Sequence, residues 1–271
     1  MVIRLFKLHL QGAVAAVQFL TRLPVPVSVP FDEAVLSRSV SYYPLAGGLI
    51  GGIIAVCYGL LELAALPQLP SAVLLLALWL ILSGGLHLDG WMDTADGLLS
   101  HRSRERMLEI MKDSRVGAMG VLAAVLLLLL KFAVLAELYA AEVRLVTVIP
   151  FLISIPVWSR WWMSAAIVCW PGARAGEGIG SKFQGARLRH VGLGFVIAAA
   201  ITGISGYACG IAGIDLVLLI AVPALLTTLF GAIAASWMSR KLGGLTGDTY
   251  GALNEWIEML LLFVVMLDLT S

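Results

Sequence analysis

The chain has 271 residues, of which 60% are hydrophobic and only 13% charged, with a formal net charge of +1. That charged share is about half of what a soluble domain carries. A soluble core of this length cannot hide so much apolar surface, whereas lipid solvates the outer faces of helices directly.

Residues 4–20 lean apolar but carry Arg4, Lys7, His9, Gln11 and Gln18. This first helix is expected to lie along the membrane interface rather than cross it. It has no small-residue cleavage site and does not read as a cleaved signal peptide. Crossing the hydrocarbon takes about 20 apolar residues. Seven later segments meet that need: 45–66, 70–88, 117–137, 145–168, 191–212, 214–238 and 251–269. The predicted fold is all-α, a polytopic bundle of about seven spans plus the interfacial helix, forming one integral membrane domain over 1–271. Gly47-Gly48, Gly51-Gly52 and the small residues of 198–212 suit close helix packing in lipid. Trp158, Trp161, Trp162 and Trp170 read mostly as an interfacial belt. Cys57, Cys169 and Cys209 have no metal-ligand spacing and read as small buried hydrophobes. No basic tract suggests a nucleic-acid partner.

Basic residues set the orientation. Of 18 Lys and Arg, four lie on the N-terminal side (Arg4, Lys7, Arg22, Arg38) and five between the second and third spans (Arg102, Arg104, Arg106, Lys112, Arg115). Four more lie between the fourth and fifth (Arg174, Lys182, Arg187, Arg189) and two between the sixth and seventh (Arg240, Lys241). The alternate loops hold only Arg144, and Lys131 and Arg160 fall inside spans. This pattern places loops 89–116, 170–190 and 239–250 in the cytoplasm and the C-terminus outside.

The polar loops carry the chemistry. Asp89, Asp93 and Asp96 stand at i, i+4 and i+7, so a continuing helix lines them on one face. Carboxylates so close repel one another, and at a poorly solvated boundary they call for cations. All-oxygen donors select a hard ion, Mg²⁺ or Mn²⁺. Asp113 is expected on a short amphipathic helix whose polar stripe is Arg102, Arg106, Glu109 and Asp113. A second polar island precedes the last span, where Asp248, Glu255 and Glu258 share a helical arc and Asn254 adds an amide. Glu255 and Glu258 lie within the apolar run and should face the bundle interior, because a lone charge there costs about 3 kcal/mol. Cations form a third group: Arg22, Lys112, Arg115, Lys182, Arg187 and Arg189 suit phosphate oxygens or anionic lipid headgroups. His87, two residues before Asp89, is a candidate substrate contact. So are Arg22, Lys241 and Asn254. There is no phosphate-binding Gly-x-x-x-x-Gly-Lys-Ser/Thr loop, no HExxH and no CxxC. Metal carboxylates with phosphate-binding cations in a membrane suggest phosphoryl or nucleotidyl-type transfer.

FLTRLPVP at 19–26, YYPLAGGLIG at 42–51, HLDGWMDTADGL at 87–98, MKDSRVGAMG at 111–120 and RKLGGLTGDTYGALNE at 240–255 together resemble the cobalamin synthase family. That family is also called adenosylcobinamide-GDP ribazoletransferase. Motif order and spacing hold from residue 19 to residue 255, with Trp91-Met92 and Tyr250 at positions expected to vary.

The resemblance implies the last assembly step of cobalamin, Mg²⁺-dependent and in the bacterial inner membrane. Adenosylcobinamide-GDP and α-ribazole, or its 5′-phosphate, would give adenosylcobalamin, or its 5′-phosphate, plus GMP. On that reading Asp89, Asp93 and Asp96 hold Mg²⁺, and Asp248 and Glu255 could hold a second metal. Lys112 and Arg115 add cationic support, and Asp113 polarises the attacking hydroxyl. A homo-oligomer, or colocalisation with other late cobalamin-pathway enzymes, is compatible with the resemblance.

Two other classes also compete. Membrane phosphotransferases of the CDP-alcohol type carry an Ala-Arg pair after the second Asp-Gly of their motif, and here Asp96-Gly97 leads instead to Leu98-Leu99-Ser100-His101. A cation-coupled transporter would use Glu255 and Glu258 as coupling sites, but it should show inverted repeats. The echo between GGLHLDG at 84–90 and GGLTGDT at 243–249 is too short to count.

Overall fold

The computed structural model describes residues 2–140, 144–174, 183 and 185–270. Its regular structure is helical, apart from one isolated bridge between Gly172 and Leu245. Helix α1 spans Val2–Leu20, and α2 (Glu33–Ser39) leads through a 3-10 turn at Val40–Tyr42 into α3 (Tyr43–Leu63). There follow α4 (Gln68–Ser83), α5 (Leu86–Leu98), α6 (Arg104–Ile110) and α7 (Ala118–Ala140). The chain ends with α8 (Leu145–Cys169), α9 (Leu188–Ala208), α10 (Gly213–Leu242) and α11 (Gly247–Thr270).

Five stretches are long and apolar enough to cross a membrane: Glu33–Leu63, α7, α8, α9 and α10. A sixth arises if α4 and α5 count as one broken span. The expected seven therefore differ at two places, each for a physical reason. The segment 70–88 does not continue as one helix, because Gly84 and Gly85 both adopt left-handed backbone (φ 65° and 70°). Glycine takes that conformation without a Cβ clash. Helix α4 thus stops after 16 residues, about 24 Å. The chain turns by 88°, so α5 runs across the bundle rather than along it.

The other difference is α11. With 24 residues it reaches about 36 Å, long enough to cross. It carries Asp248, Glu255, Glu258 and Asp268, which count against it as a free-standing apolar span. Yet it is the helix that others surround, packing on α5, α7, α8 and α10. Ala252, Leu253, Asn254, Ile257, Glu258 and Leu262 are fully enclosed. Close packing by small residues occurs as predicted where α3 meets α8, with Gly47 and Gly51 against the α8 backbone. The tryptophans depart from the predicted belt. Trp158, Trp161 and Trp162 are buried in edge-to-face contacts with one another and with Phe195, since α8 is itself an interior helix.

The charges inside the bundle neutralise one another. Lys131 of α7 donates to Glu255 at 2.5 Å and to Glu258 at 2.8 Å. Arg160 of α8 pairs with the other oxygen of Glu258. Two cations meet two carboxylates, and all four are buried. The indole ring of Trp79 on α4 faces the Lys131 ammonium, 5.6 Å from the ring centroid. Glu255 and Glu258 thus face the interior, as their cost in lipid requires. Removing one charge from such a set strands another and typically costs about 3–5 kcal/mol. Glu258→Gln, which strips the carboxylate shared by Lys131 and Arg160, should therefore sharply lower the melting temperature of the purified protein. The double variant Lys131→Met/Glu255→Gln, which removes a cation and an anion together, should melt closer to wild type than Lys131→Met alone. Wild-type melting of Glu258→Gln would show that the pairs do not hold the bundle.

Candidate active site

Three carboxylates lie along α5 at the predicted spacing, but the structure gives them three different settings. Asp89 is exposed, and Asp93 is half-buried. Asp96 turns to α7: its two oxygens accept the Gly117 and Gly120 backbone N–H groups, each at 2.7 Å. It caps the start of α7, meeting orphan donors at the positive end of the helix dipole. The expected three-Asp metal face therefore divides, with Asp96 committed to joining α5 and α7.

The opposite wall comes from α11. A Cβ on Gly90 would stand 2.5 Å from the Asp248 carbonyl oxygen, so only glycine lets α5 approach this closely. This contact sets Asp248, in the first turn of α11, beside Asp89 and Asp93. Asp248 also accepts from the Thr246 hydroxyl at 3.3 Å and faces the Arg174 guanidinium at 3.6 Å. Arg174 is held in turn by the Leu108 carbonyl at 3.2 Å. Its segment is fixed by backbone pairing, with Ala173 N–H donating to Leu245 O and Leu245 N–H to Pro171 O, both at 2.8 Å. The sequence places Arg174 among the loop cations and gives it no site role. The one signal was a basic residue in a Gly-rich loop on the same predicted side.

The electrostatics follow from this crowding. Burial raises the Asp93 pKa, and the carboxylates of Asp89, Asp248 and Asp96 raise it further, to about 7, against the opposing pull of Arg174. Among the described residues, no three His, Cys, Asp or Glu side chains enclose a metal-sized space. The donor chemistry nonetheless suits Mg²⁺. That ion is commonly bound through one or two carboxylates plus substrate phosphates and water, rather than in an all-protein cage. Asp89, Asp93 and Asp248 supply hard oxygen donors whose mutual repulsion a cation relieves.

Other expected residues lie elsewhere. Glu255 is taken by Lys131, about 10 Å along the helix from Asp248, and so belongs to the internal ion pairs rather than to a metal shell. His87 is almost fully buried. Its Nδ1 lies 3.1 Å from Asn254 Nδ2 and 3.4 Å from Arg160 Nη2, so it accepts and the proton sits on Nε2. Asn254, also fully buried, donates to Glu258 at 3.3 Å. Neither is a surface for substrate; both tie α5 and α11 to the ion pairs. Asp113 lies beyond the end of α6, in an exposed turn where it binds its neighbour Arg115 through the backbone N–H (3.0 Å), Nε (3.1 Å) and Nη2 (2.8 Å). Those bonds from Arg115 lower its pKa to about 2, which suits an ion-pair partner rather than a proton acceptor. Lys112 is exposed in the same turn. Arg22 is exposed against Gly84 at the α4–α5 break, and Lys241 is exposed in the last turn of α10. Lys182 lies outside the described residues.

A family model described as cobalamin-5-phosphate synthase matches residues 12–266. The chain belongs to that family. An adenosylcobinamide-GDP ribazoletransferase from Desulfitobacterium hafniense is 43% identical over 251 residues, covering 91% of this chain and 93% of its own. Proteins of the same name from Desulforamulus reducens (42% identity, 93% and 94% covered) and Caldanaerobacter subterraneus (37%, 93% and 96%) align over similar lengths. No solved structure matches. All the residues discussed above, from Arg22 to Glu258, fall inside the family match.

For this cobalamin-5-phosphate synthase family member, the carboxylate crowding makes a prediction independent of turnover. The folded-state pKa of Asp93 lies above the unfolded value of about 4, so proton binding favours the fold. Its contribution is fully present below pH 4 and is lost as the pH rises through about 7. In chelator, the melting temperature should fall between about pH 4 and 7 and level off above that. Asp93→Asn, or added Mg²⁺, should flatten that slope. An unchanged slope in Asp93→Asn would move the titration elsewhere.

Proposed function

We propose that the chain works as an adenosylcobinamide-GDP ribazoletransferase in a bacterial cytoplasmic membrane, with its acidic site facing the cytoplasm. The observation that carries this reading is the pair of acidic walls, Asp89 and Asp93 on α5 against Asp248 on α11, in a chain whose relatives of similar length bear that name. The excess of Lys and Arg in alternate loops supports the orientation.

In the reaction, a ribose hydroxyl of α-ribazole or its 5′-phosphate attacks the phosphorus nearer the cobinamide. An O–P bond forms as the bridging P–O bond of the diphosphate breaks, the hydroxyl proton passes to solvent, and GMP leaves. Mg²⁺, when bound, would neutralise the diphosphate and the charge growing on the leaving phosphate. Asp89, Asp93 and Asp248 are the residues to hold it. Arg174, steadied by Leu108 and Asp248, is placed to grip phosphoryl oxygens with its guanidinium fork. Asp96 holds α5 to the start of α7 and so fixes the direction in which Asp93 points. The Asp113–Arg115 turn takes no proton in this account.

Purified protein with both substrates and Mg²⁺ should form GMP and the ribazole adduct, and chelator should stop it. Asp93→Asn is nearly isosteric. Measured near the midpoint of the metal dependence, it should lower turnover by more than tenfold, about 1.4 kcal/mol in barrier, with partial recovery at high Mg²⁺. Absence of GMP from the wild-type reaction would overturn the assignment. A smaller loss in Asp93→Asn would remove that residue from the metal site alone.

A further inference from the structure

A second polar constellation, apart from the acidic site, gathers where α1 and α2 pack on the 3-10 turn at Val40–Tyr42, which the start of α9 also meets. His9 of α1 hydrogen-bonds the Tyr42 hydroxyl through Nδ1 at 2.9 Å. Arg38, in the last turn of α2, packs its Cβ against Gly12, about one turn along α1 from His9. Arg189 lies in the first turn of α9, whose neighbouring His190 accepts the Arg187 backbone N–H at 2.9 Å. Both guanidinium groups bear on His9: burial and then the charges of Arg38 and Arg189 hold its pKa below the usual imidazole value. The acidic residues of α2 stand at its other end, where Asp32 caps the helix through the Val35 N–H.

Next to these cations lies an apolar groove of about 440 Å³ lined by Leu5, Phe6, His9, Leu10, Ala13 and Tyr42. Phe6 is 70% exposed and Leu10 56%, so α1 shows its neighbourhood an oily surface with positive charge at one edge. A soluble anion would satisfy the arginines but leave the groove uncovered. A neutral lipid would fill the groove but bring no counter-charge to the arginines, of which Arg38 donates through Nη1 to the neutral Ala34 carbonyl at 2.7 Å. One occupant meets both demands, an amphiphile with an anionic head and a hydrocarbon tail, and the surrounding bilayer is its natural source.

We propose that Arg38 and Arg189 bind the phosphate of an anionic phospholipid whose acyl chain lies in the groove along α1. The site adds a lipid contact to the direct packing of α1 on α2 and α3 and is separate from the carboxylates of α5 and α11. The pairing is by charge and shape together: guanidinium groups grip phosphodiester oxygens while the acyl chain covers the groove along α1.

The test uses full-length protein in neutral detergent, titrated with phosphatidylglycerol, phosphatidylcholine or glycerol 3-phosphate, with melting temperature and native mass spectrometry as readouts. Phosphatidylglycerol should bind saturably and raise the melting temperature, while phosphatidylcholine binds at least tenfold more weakly and glycerol 3-phosphate has no effect. The double variant Arg38→Gln/Arg189→Gln should lose the preference for phosphatidylglycerol by tenfold or more while keeping wild-type GMP formation in detergent. Arg38→Lys/Arg189→Lys, which keeps the charge, should retain most of it, separating a binding defect from a folding defect. Phe6→Gln should weaken phosphatidylglycerol binding with both arginines intact. Undiminished phosphatidylglycerol preference in the double Gln variant would overturn the proposal. So would glycerol 3-phosphate binding as tightly as the lipid, which would mark a free-phosphate site. Dimerisation through this face, lost in Phe6→Gln, would assign the groove to a second copy and equally overturn it.

Discussion

Two cations and two carboxylates share the interior of this bundle, and the placement of the candidate active site depends on them. Each alone would be costly in lipid, and together they form a neutral set in which Glu258 bridges Lys131 and Arg160 while Glu255 takes the other side of Lys131. The set draws on α7, α8 and α11, with Trp79 of α4 facing the lysine and His87 of α5 held by Arg160 and Asn254. Every helix that shapes the acidic site, apart from short α6, thus touches one cluster. Helix α11 can occupy the centre of a membrane bundle because its charges are answered from neighbouring helices.

From that anchor the acidic site follows by short steps. His87 fixes the start of α5 against α11, and Gly90 lets the two backbones close, which brings Asp248 beside Asp89 and Asp93. Asp96 then ties the far part of α5 to the first N–H groups of α7. Helix α5 is consequently held at both ends, and the two carboxylates between those ties are the ones we propose meet a cation. The left-handed glycines at 84 and 85 make this possible by ending α4 early and sending α5 across the bundle. The carboxylate wall lies within the residues that the family model matches.

Much of this was legible in the sequence because lipid imposes a simple rule on apolar runs. The segment predicted at 117–137 is α7 at 118–140, and 145–168 is α8 at 145–169. Asp89, Asp93 and Asp248 stood out because carboxylates at a membrane boundary need a reason. What local pattern could not supply was the distant partner. Periodicity put Asp96 on the same face as Asp93, but its fate is decided by backbone donors 21 and 24 residues later. The cost of a charge in lipid turns Glu255 inward, yet Lys131 is 124 residues away, and a buried carboxylate looks the same whether it awaits a metal or an ammonium. Two intramembrane cations and two intramembrane acids were visible as a neutral sum, and that sum was the available clue. Asp113 was drawn onto α6 by a periodicity that the helix does not complete. Arg174 was hidden because its approach depends on strand-like pairing between two loops. Tryptophans near the predicted end of α8 resembled a belt, since sequence cannot distinguish a lipid-facing ring from one enclosed by neighbouring helices.

A cation site spanning α5 and α11 is tested by metal binding without substrate or turnover. Mn²⁺ serves as the probe, with bound and free ion distinguished by electron paramagnetic resonance on the purified protein. Asp93→Asn and Asp248→Asn should each weaken Mn²⁺ binding by tenfold or more, while Asp113→Asn and Glu255→Gln bind as wild type where they remain folded. Wild-type Mn²⁺ affinity in Asp248→Asn, or loss of binding in Asp113→Asn, would contradict a site built between these two helices.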